Sequence, residues 1–435
     1  MRRKFDAIVV GAGPAGSTAA LLLARAGLRV VLLERGEYPG SKNMSGAALY
    51  GTALLQELIP NFWEEAPVER YITRRVLSFV SPRSSFSLDF ATTEFSEPPY
   101  NAFTVLRPKF DRWFAAKAEE AGAFLVPSTV VDDLLWDGDR VVGVRTRRSE
   151  GDIYSEVVIA ADGVNSLLAK QAGLRRELDA HQVGIGVKEV IAVDRRTIEE
   201  RFNLSGDAGM TYEFIGSITG EACGGGFLYT NRDSLSIGIV AQLASLAQKC
   251  LKPYELLEDF KRHPFIEPLV RGGVVKEYSA HMVPEAGVRM MPRLYTNGLL
   301  LVGDAAALTL QAGIFLEGMN VAIASASIAA EAVKQAMADG DFSSRSLSRY
   351  EQLLKKSFVL KDLKRFRRAP DFVSNPRLQN VYPVTICQVL ENMFKVDGSP
   401  KRKLAGLVLK QLREDKVSLW RVLLDGIEGG RGLIW

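Results

Sequence analysis

The segment FDAIVVGAGPAGSTAALLLARAGLRVVLLERG, residues 5–36, constrains this chain more than any other. AIVV is a short apolar run of the kind buried on both faces of a parallel sheet. The small-residue stretch over 17–26 predicts a helix, and RVVLLE predicts the next strand. Gly11, Gly13 and Gly16 fall between strand and helix in the spacing G-x-G-x-x-G. The first permits a tight turn, the second lets backbone approach a pyrophosphate, and the third lets helix pack on strand. Pro14 and Ala15 start the helix, whose unpaired N–H groups and positive partial charge suit a phosphate. Glu34 ends the second strand 18 residues past Gly16, where an acid can hydrogen-bond a ribose hydroxyl, and Arg35 follows it. Together these predict dinucleotide binding. An acid beside an unphosphorylated ribose argues against NADP and leaves FAD and NAD open.

Composition narrows the class. A chain of 435 residues, 47% hydrophobic and 24% charged, is long enough for two or three domains with a substantial core. A net charge of +4 is too weak to imply a nucleic-acid partner. Cys223, Cys250 and Cys387 stand far apart, with no metal-ligand spacing, so no metal site and no all-cysteine iron–sulfur cluster is expected. The apolar run after MRRKFD ends in glycine after four residues, which argues against a secretory leader. No spanning helix is expected, and the chain reads as cytoplasmic, soluble or peripheral.

Four further stretches point to one cofactor. VLRPKFDRWFAAKAEEAGA (105–123) begins with an arginine and continues as an amphipathic helix. VVDDLLWDGDRVVGVRT (130–146) predicts strands around a polar turn. SEVVIAADGVNSLLAKQAG (155–173) is a strand ending in Asp-Gly ahead of a helix, and GDAAALTLQAGIFLEGMN (303–320) follows an apolar strand. Together with the first motif these resemble the FAD-containing aromatic-hydroxylase fold, a Rossmann-like α/β domain of the glutathione-reductase type. The resemblance implies FAD, with Arg107 near its phosphates, Val131 at the adenine, and Ala161, Asp162 and Gly163 closing the nucleotide crevice. It implies Gly303 and Asp304 at the ribityl and pyrophosphate region. Gly318, Met319 and Asn320 would begin a helix aimed at the isoalloxazine, where positive partial charge favours an anionic reduced flavin.

GSKNMSGAAL (40–49), GIGVKEVIAV (184–193) and HMVPEAGVRMMPRLYTNGLLLVGDAA (281–306) are similar to the electron-transfer flavoprotein–quinone oxidoreductase family, with FixC-type members the nearest likeness. KSFVLKDLKRF and RLQNVYP fit that group. The resemblance implies a peripheral enzyme on the cytoplasmic face of the cell membrane, taking electrons from a two-subunit electron-transfer flavoprotein and giving them to quinone. It implies a separate small ferredoxin-like iron–sulfur subunit, because Cys387 is the only cysteine in the last 180 residues. Some such assemblies split electrons from NADH, a property of the complex and not of this chain. Lys42, Ser45 and Gly46 would line the flavin entrance.

This chemistry requires no nucleophile or acid–base dyad, so no catalytic residue is assigned. Lys188 and Glu189 are candidates near the quinone, against a strand-end salt bridge, while His181, His263 and His281 follow no ligand spacing. The expected organisation is a flavin domain from 1–170 and 281–340, an antiparallel sheet domain from 171–280 roofing the flavin, and a helical region from 341–435. Residues 355–368 carry seven Lys or Arg and one Asp, suited to an acidic partner, an anionic membrane or solvent. Apolar residues in 263–270 and 282–292 are expected to form a shallow membrane-facing patch. Rival expectations are a geranylgeranyl-reductase-like enzyme, a flavin monooxygenase, and an FAD-stabilised scaffold subunit.

Overall fold

The computed structural model of the chain describes residues 4–313 and 315–433. The strand Lys4–Val10 lies inside an eight-stranded sheet. Its parallel neighbours are Val30–Leu33, flanked in turn by Phe124–Val126, and Asp152–Ala160, flanked by Leu299–Leu301. Ala7, Ile8 and Val9 are wholly buried, as a strand covered on both faces requires. The helices Pro14–Arg25 and Met319–Asp339 pack together through small residues; Ala19, Ala20, Ala326 and Ala330 are fully buried. Leu299–Leu301 pairs with residues 158–160, so the late GDAA turn returns to the same sheet as the first glycine loop. The WDGDR turn joins Val131–Asp137 to Arg140–Thr146 as an antiparallel hairpin.

A nine-stranded, mostly antiparallel sheet roofs the first. Its order is Val274–Pro284, Val183–Ala192, Ser234–Gln242, Gly224–Thr230, Ala208–Gly216, Val68–Val80, Ala102–Val105 and Ala47–Tyr50, with Ser85–Ala91 paired to Val68–Val80. This differs from the expected organisation. Four of the strands come from within 1–170, and Val274–Pro284 straddles the boundary at 280. The strand VERYITRRVLSFV escapes the apolar pattern because Glu69 and Arg70 lie inside the structure and Arg74 and Arg75 are partly covered. Arg70 is buried, its Nε donating to the Asn231 carbonyl at 2.7 Å and its Nη1 to those of Gly206 and Ala208 at 3.0 Å. One guanidinium thus anchors two turns to the long strand.

From Met319 onward the described residues form helices without strands. In the basic run Leu360 and Leu363 are buried, and all seven cations are exposed. Its apolar face therefore serves the fold. The expected apolar patches also turn inward: Met282 and Val283 line a cavity, Ala286 and Met290 are buried, and Ile266 is fully covered, leaving Phe265 exposed. The last helix, Leu419–Leu433, is tied down by Asp425, which takes both Nε and Nη2 of Arg377 at 2.6 Å and the Tyr382 hydroxyl. No helix among the described residues is long and apolar enough to cross a membrane.

Candidate functional site

Between the two sheets lies a cavity of about 670 Å³. Two helix N-termini without side-chain caps open onto it, those of Pro14–Arg25 and Met319–Asp339, and Gly13, Pro14, Ala15, Gly318 and Met319 line it there. Uncapped N–H groups around one space make an anion cradle. A Cβ on Gly13 would meet only the tips of Arg107 and Asn43, at 3.8 and 4.0 Å, so glycine leaves room for a bound group. Arg107 is held by Asp111 through two bonds of 2.8 Å, and the Asn43 amide donates to the same carboxylate at 2.7 Å.

At one end, Gly11, Glu34, Arg35, Lys42 and Val131 line the cavity. Glu34 accepts the Ala12 amide at 3.0 Å and the Gly36 amide at 2.6 Å, fixing the loop while its carboxylate still borders the space. On the opposite wall, Ala161, Asp162 and Gly163 face in. Asp162 accepts the Ser166 hydroxyl at 2.7 Å and the Leu168 amide at 3.3 Å, so its main visible task is to shape the turn. Among the described residues the Asp304 carboxylate accepts only from Thr309, at 3.3 Å, and burial pushes it above the ordinary range against the pull of His281 and Arg107. A buried acceptor with spare lone pairs suits a polyol.

Four residues assigned to cofactor contact do not line the cavity. Gly16 packs against the first turn, where a Cβ would come within 1.7 Å of the Gly11 carbonyl oxygen. Gly303 seats the turn against Ala15 and donates to Ser325 at 3.0 Å. Asn320 donates to Glu317 at 2.6 Å, and Ser45 is buried behind Gly46, which does line the space. These support the cradle from behind.

The roof adds Lys188, one of the two quinone-site candidates, and groups that spacing did not reveal. Lys188 projects into the cavity, donates to the Gly46 carbonyl, and is pushed down to about 7 by burial and by Arg107. Glu189 points to the other face, 2.7 Å from Lys261, because strand side chains alternate. The salt-bridge reading therefore holds for Glu189 and fails for Lys188. Gly238, the cross-strand neighbour of Lys188, leaves space for its side chain. His281 lines the cavity, whereas His263 bonds the Ser81 carbonyl at 2.9 Å. His181 lines a second cavity of about 320 Å³. Glu285, pushed up to about 7 by burial, borders both cavities. Toward the remaining end stand Tyr50, Glu213, Phe227, Tyr229 and Phe315, an aromatic wall with one carboxyl. Its sequence sign is faint: a lone acid in the apolar strand AGMTYEFIG. Among the described residues no His, Cys, Asp and Glu cluster is placed to hold a metal ion.

Helix N-termini for a pyrophosphate, an acid at each sugar position and open glycines fit a flavin dinucleotide. Residues 4–204 match the family described as an FAD binding domain, 183–283 the ubiquinone-binding segment of the electron transfer flavoprotein–quinone oxidoreductases, and 369–434 the C-terminal domain of the same family and FixC. The chain is 44% identical over 430 residues to the probable electron transfer flavoprotein-quinone oxidoreductase YdiS of Escherichia coli, covering 99% of each chain. It is 44% identical over 406 residues to FixC of Bradyrhizobium diazoefficiens, covering 92% of each. Solved structures share the fold. A geranylgeranyl bacteriochlorophyll reductase-like protein from Thermoplasma acidophilum superposes with a TM-score of 0.73 at 24% identity, over 98% of this chain and 100% of that one. The myxobacterial FAD-dependent halogenase CndH does so with a TM-score of 0.61 at 21% identity, over 99% and 91%. FAD is the cofactor, and the chain belongs to the electron transfer flavoprotein–quinone oxidoreductase and FixC family of FAD-dependent oxidoreductases.

Proposed function

We propose that this chain takes electrons from an electron transfer flavoprotein and delivers them to a membrane quinone, as the quinone-facing subunit of a FixABCX-type assembly. The observation that carries this reading is the continuity of the cavity. It runs from the anion cradle to an aromatic end whose wall belongs largely to the ubiquinone-binding segment. FAD, when bound, accepts and releases the electrons. The protein positions the partners. Arg107 and the N-terminus of Pro14–Arg25 counter phosphate charge, Asp304 accepts polyol hydroxyls, and the start of Met319–Asp339 favours negative charge at the reacting ring.

The exposed cations of 355–368 suit an acidic ferredoxin-like subunit. The membrane contact belongs to the last helix. Trp420, Leu423, Leu424 and Ile427 fall on one stripe and are exposed, with Phe394 and Val396 exposed as well. Arg413 and Lys416 precede that stripe in sequence, and Arg421 lies within its span. An amphipathic helix of this kind lies in a bilayer interface, in keeping with attachment to the cytoplasmic face. Reoxidation of the reduced, FAD-loaded chain, by quinone or lipid without oxygen and separately by oxygen, tests the reading. A soluble quinone is expected to reoxidise it much faster than a geranylgeranyl lipid, and oxygen to give no hydroxylated product. Prenyl saturation, or hydroxylation with oxygen, would overturn it.

A further inference from the structure

We propose that Glu213 is the proton donor to the quinone, with Arg75 positioning its carboxyl; this rests on the quinone reading above. Glu213 sits on Ala208–Gly216, and its side chain borders the aromatic end of the cavity. One carboxyl oxygen, Oε2, is buried and has no hydrogen-bond partner. A buried carboxyl oxygen without a partner is costly unless a ligand completes it or a proton resides there. The other oxygen, Oε1, lies 3.7 Å from Arg75 Nη2. The Arg75 guanidinium in turn lies over the Phe315 ring at 3.8 Å and the Tyr50 ring at 4.7 Å. Its side chain is 28% exposed, so one ion pair links the cavity wall to the outside.

The other groups facing Glu213 agree with this role. Burial raises the carboxyl to about 7, opposed by Arg75 and by the nearby hydroxyls of Thr211 and Tyr50. Tyr50 and Tyr229 are pushed well above the ordinary phenol range by burial and by Glu213 itself, so both stay neutral, and Glu317 faces Tyr50 with the same effect. Other titratable groups of the cavity are placed or engaged elsewhere: Asp304 accepts from Thr309 beside the anion cradle. Lys188 is engaged with the Gly46 carbonyl, and Glu285 stands over Gly184 beside the second cavity.

Reduction of a quinone to a quinol takes two electrons and two protons. Both electrons and one proton come with the reduced cofactor. The second proton comes from Glu213, whose O–H bond breaks as the quinol O–H bond forms. Arg75 holds the resulting carboxylate, which solvent then reprotonates. A donor with a pKa near the working pH suits this step.

The test uses the full FAD-loaded chain, reduced anaerobically with dithionite and mixed with a short-chain soluble quinone from about pH 5.5 to about pH 9. In the wild type the reoxidation rate is expected to fall about tenfold per pH unit above about pH 7. Glu213→Gln should be slower by about 100-fold or more near pH 6 and lose that slope. Glu213→Asp, which keeps an acid one methylene further away, should be slowed but keep the slope. A readout independent of turnover is the infrared band of a protonated carboxyl in the oxidised protein. Glu285 contributes to the same band, so Glu213→Gln should remove one component that titrates near pH 7 and leave the Glu285 component, which Glu285→Gln removes. A Glu213→Gln variant that retains FAD and reacts with the wild-type rate and pH profile overturns the proposal, as does absence of the Glu213 component. Failure of the wild type to react with quinone at any pH, with that component present, instead overturns the quinone reading on which the proposal rests.

Discussion

Asp304 and Glu34 do different work although both border the same cavity. Glu34 spends both oxygens on backbone amides, while Asp304 keeps most of its acceptor capacity open. Asp304→Ala should therefore lower FAD retention through gel filtration by about 10-fold or more, a loss of about 1.5–3 kcal/mol for hydrogen bonds to a charged acceptor. Glu285 yields a pH prediction of definite sign. Its folded-state pKa is raised to about 7, so its contribution is favourable below the ordinary carboxyl range and is lost as pH rises through 7. Glu285→Gln should match the wild type in urea unfolding near pH 4 and exceed it near pH 8. At this scale the sequence speaks unevenly. The glycine loop is legible because backbone geometry dictates both residue type and spacing. Glu213 is not, because an isolated acid inside a strand has no period to betray it. Lys188 and Glu189 are adjacent in the chain, and only the pairing of their strand shows which one faces inward.

The glycines of the first turn separate folding from binding at the scale of the element. A Cβ on Gly16 would overlap the Gly11 carbonyl at 1.7 Å, whereas one on Gly13 would point toward the Arg107 tip at 3.8 Å. Gly16→Ala should give a chain that loses both its helix packing and its flavin colour. Gly13→Ala should unfold at nearly the wild-type urea concentration yet bind FAD weakly. Arg70 offers the corresponding test in the roof. Arg70→Met removes hydrogen bonds to four carbonyls, that of Asn231 buried and those of Gly206, Ala208 and Arg232 partly so, and should cost about 3 kcal/mol in urea unfolding, with the flavin sheet less affected. The parallel sheet was readable because its strands are short, apolar and bounded by glycine. The roof strands at 47–105 were not, since arginines and serines break the alternation and Val68–Val80 also pairs with Ala208–Gly216, far along the chain.

Surface character emerges only from the whole molecule. The apolar residues of 282–292 are spent on the cavity wall and core, while those of Leu419–Leu433 remain outside. Composition is similar in the two segments, and the fold alone assigns one inward and one outward. Replacing Trp420 and Leu423 by serine should reduce sedimentation with anionic vesicles about 10-fold or more, without loss of FAD. The central claim is that one cavity joins a flavin to a quinone. Its most direct measurement mixes the FAD-loaded chain, reduced electron transfer flavoprotein and quinone-bearing vesicles without oxygen, and follows quinol. The account predicts one quinol per two electrons supplied, formed only when the loaded chain is present. Reduction of the chain's flavin with no quinol formed would contradict it.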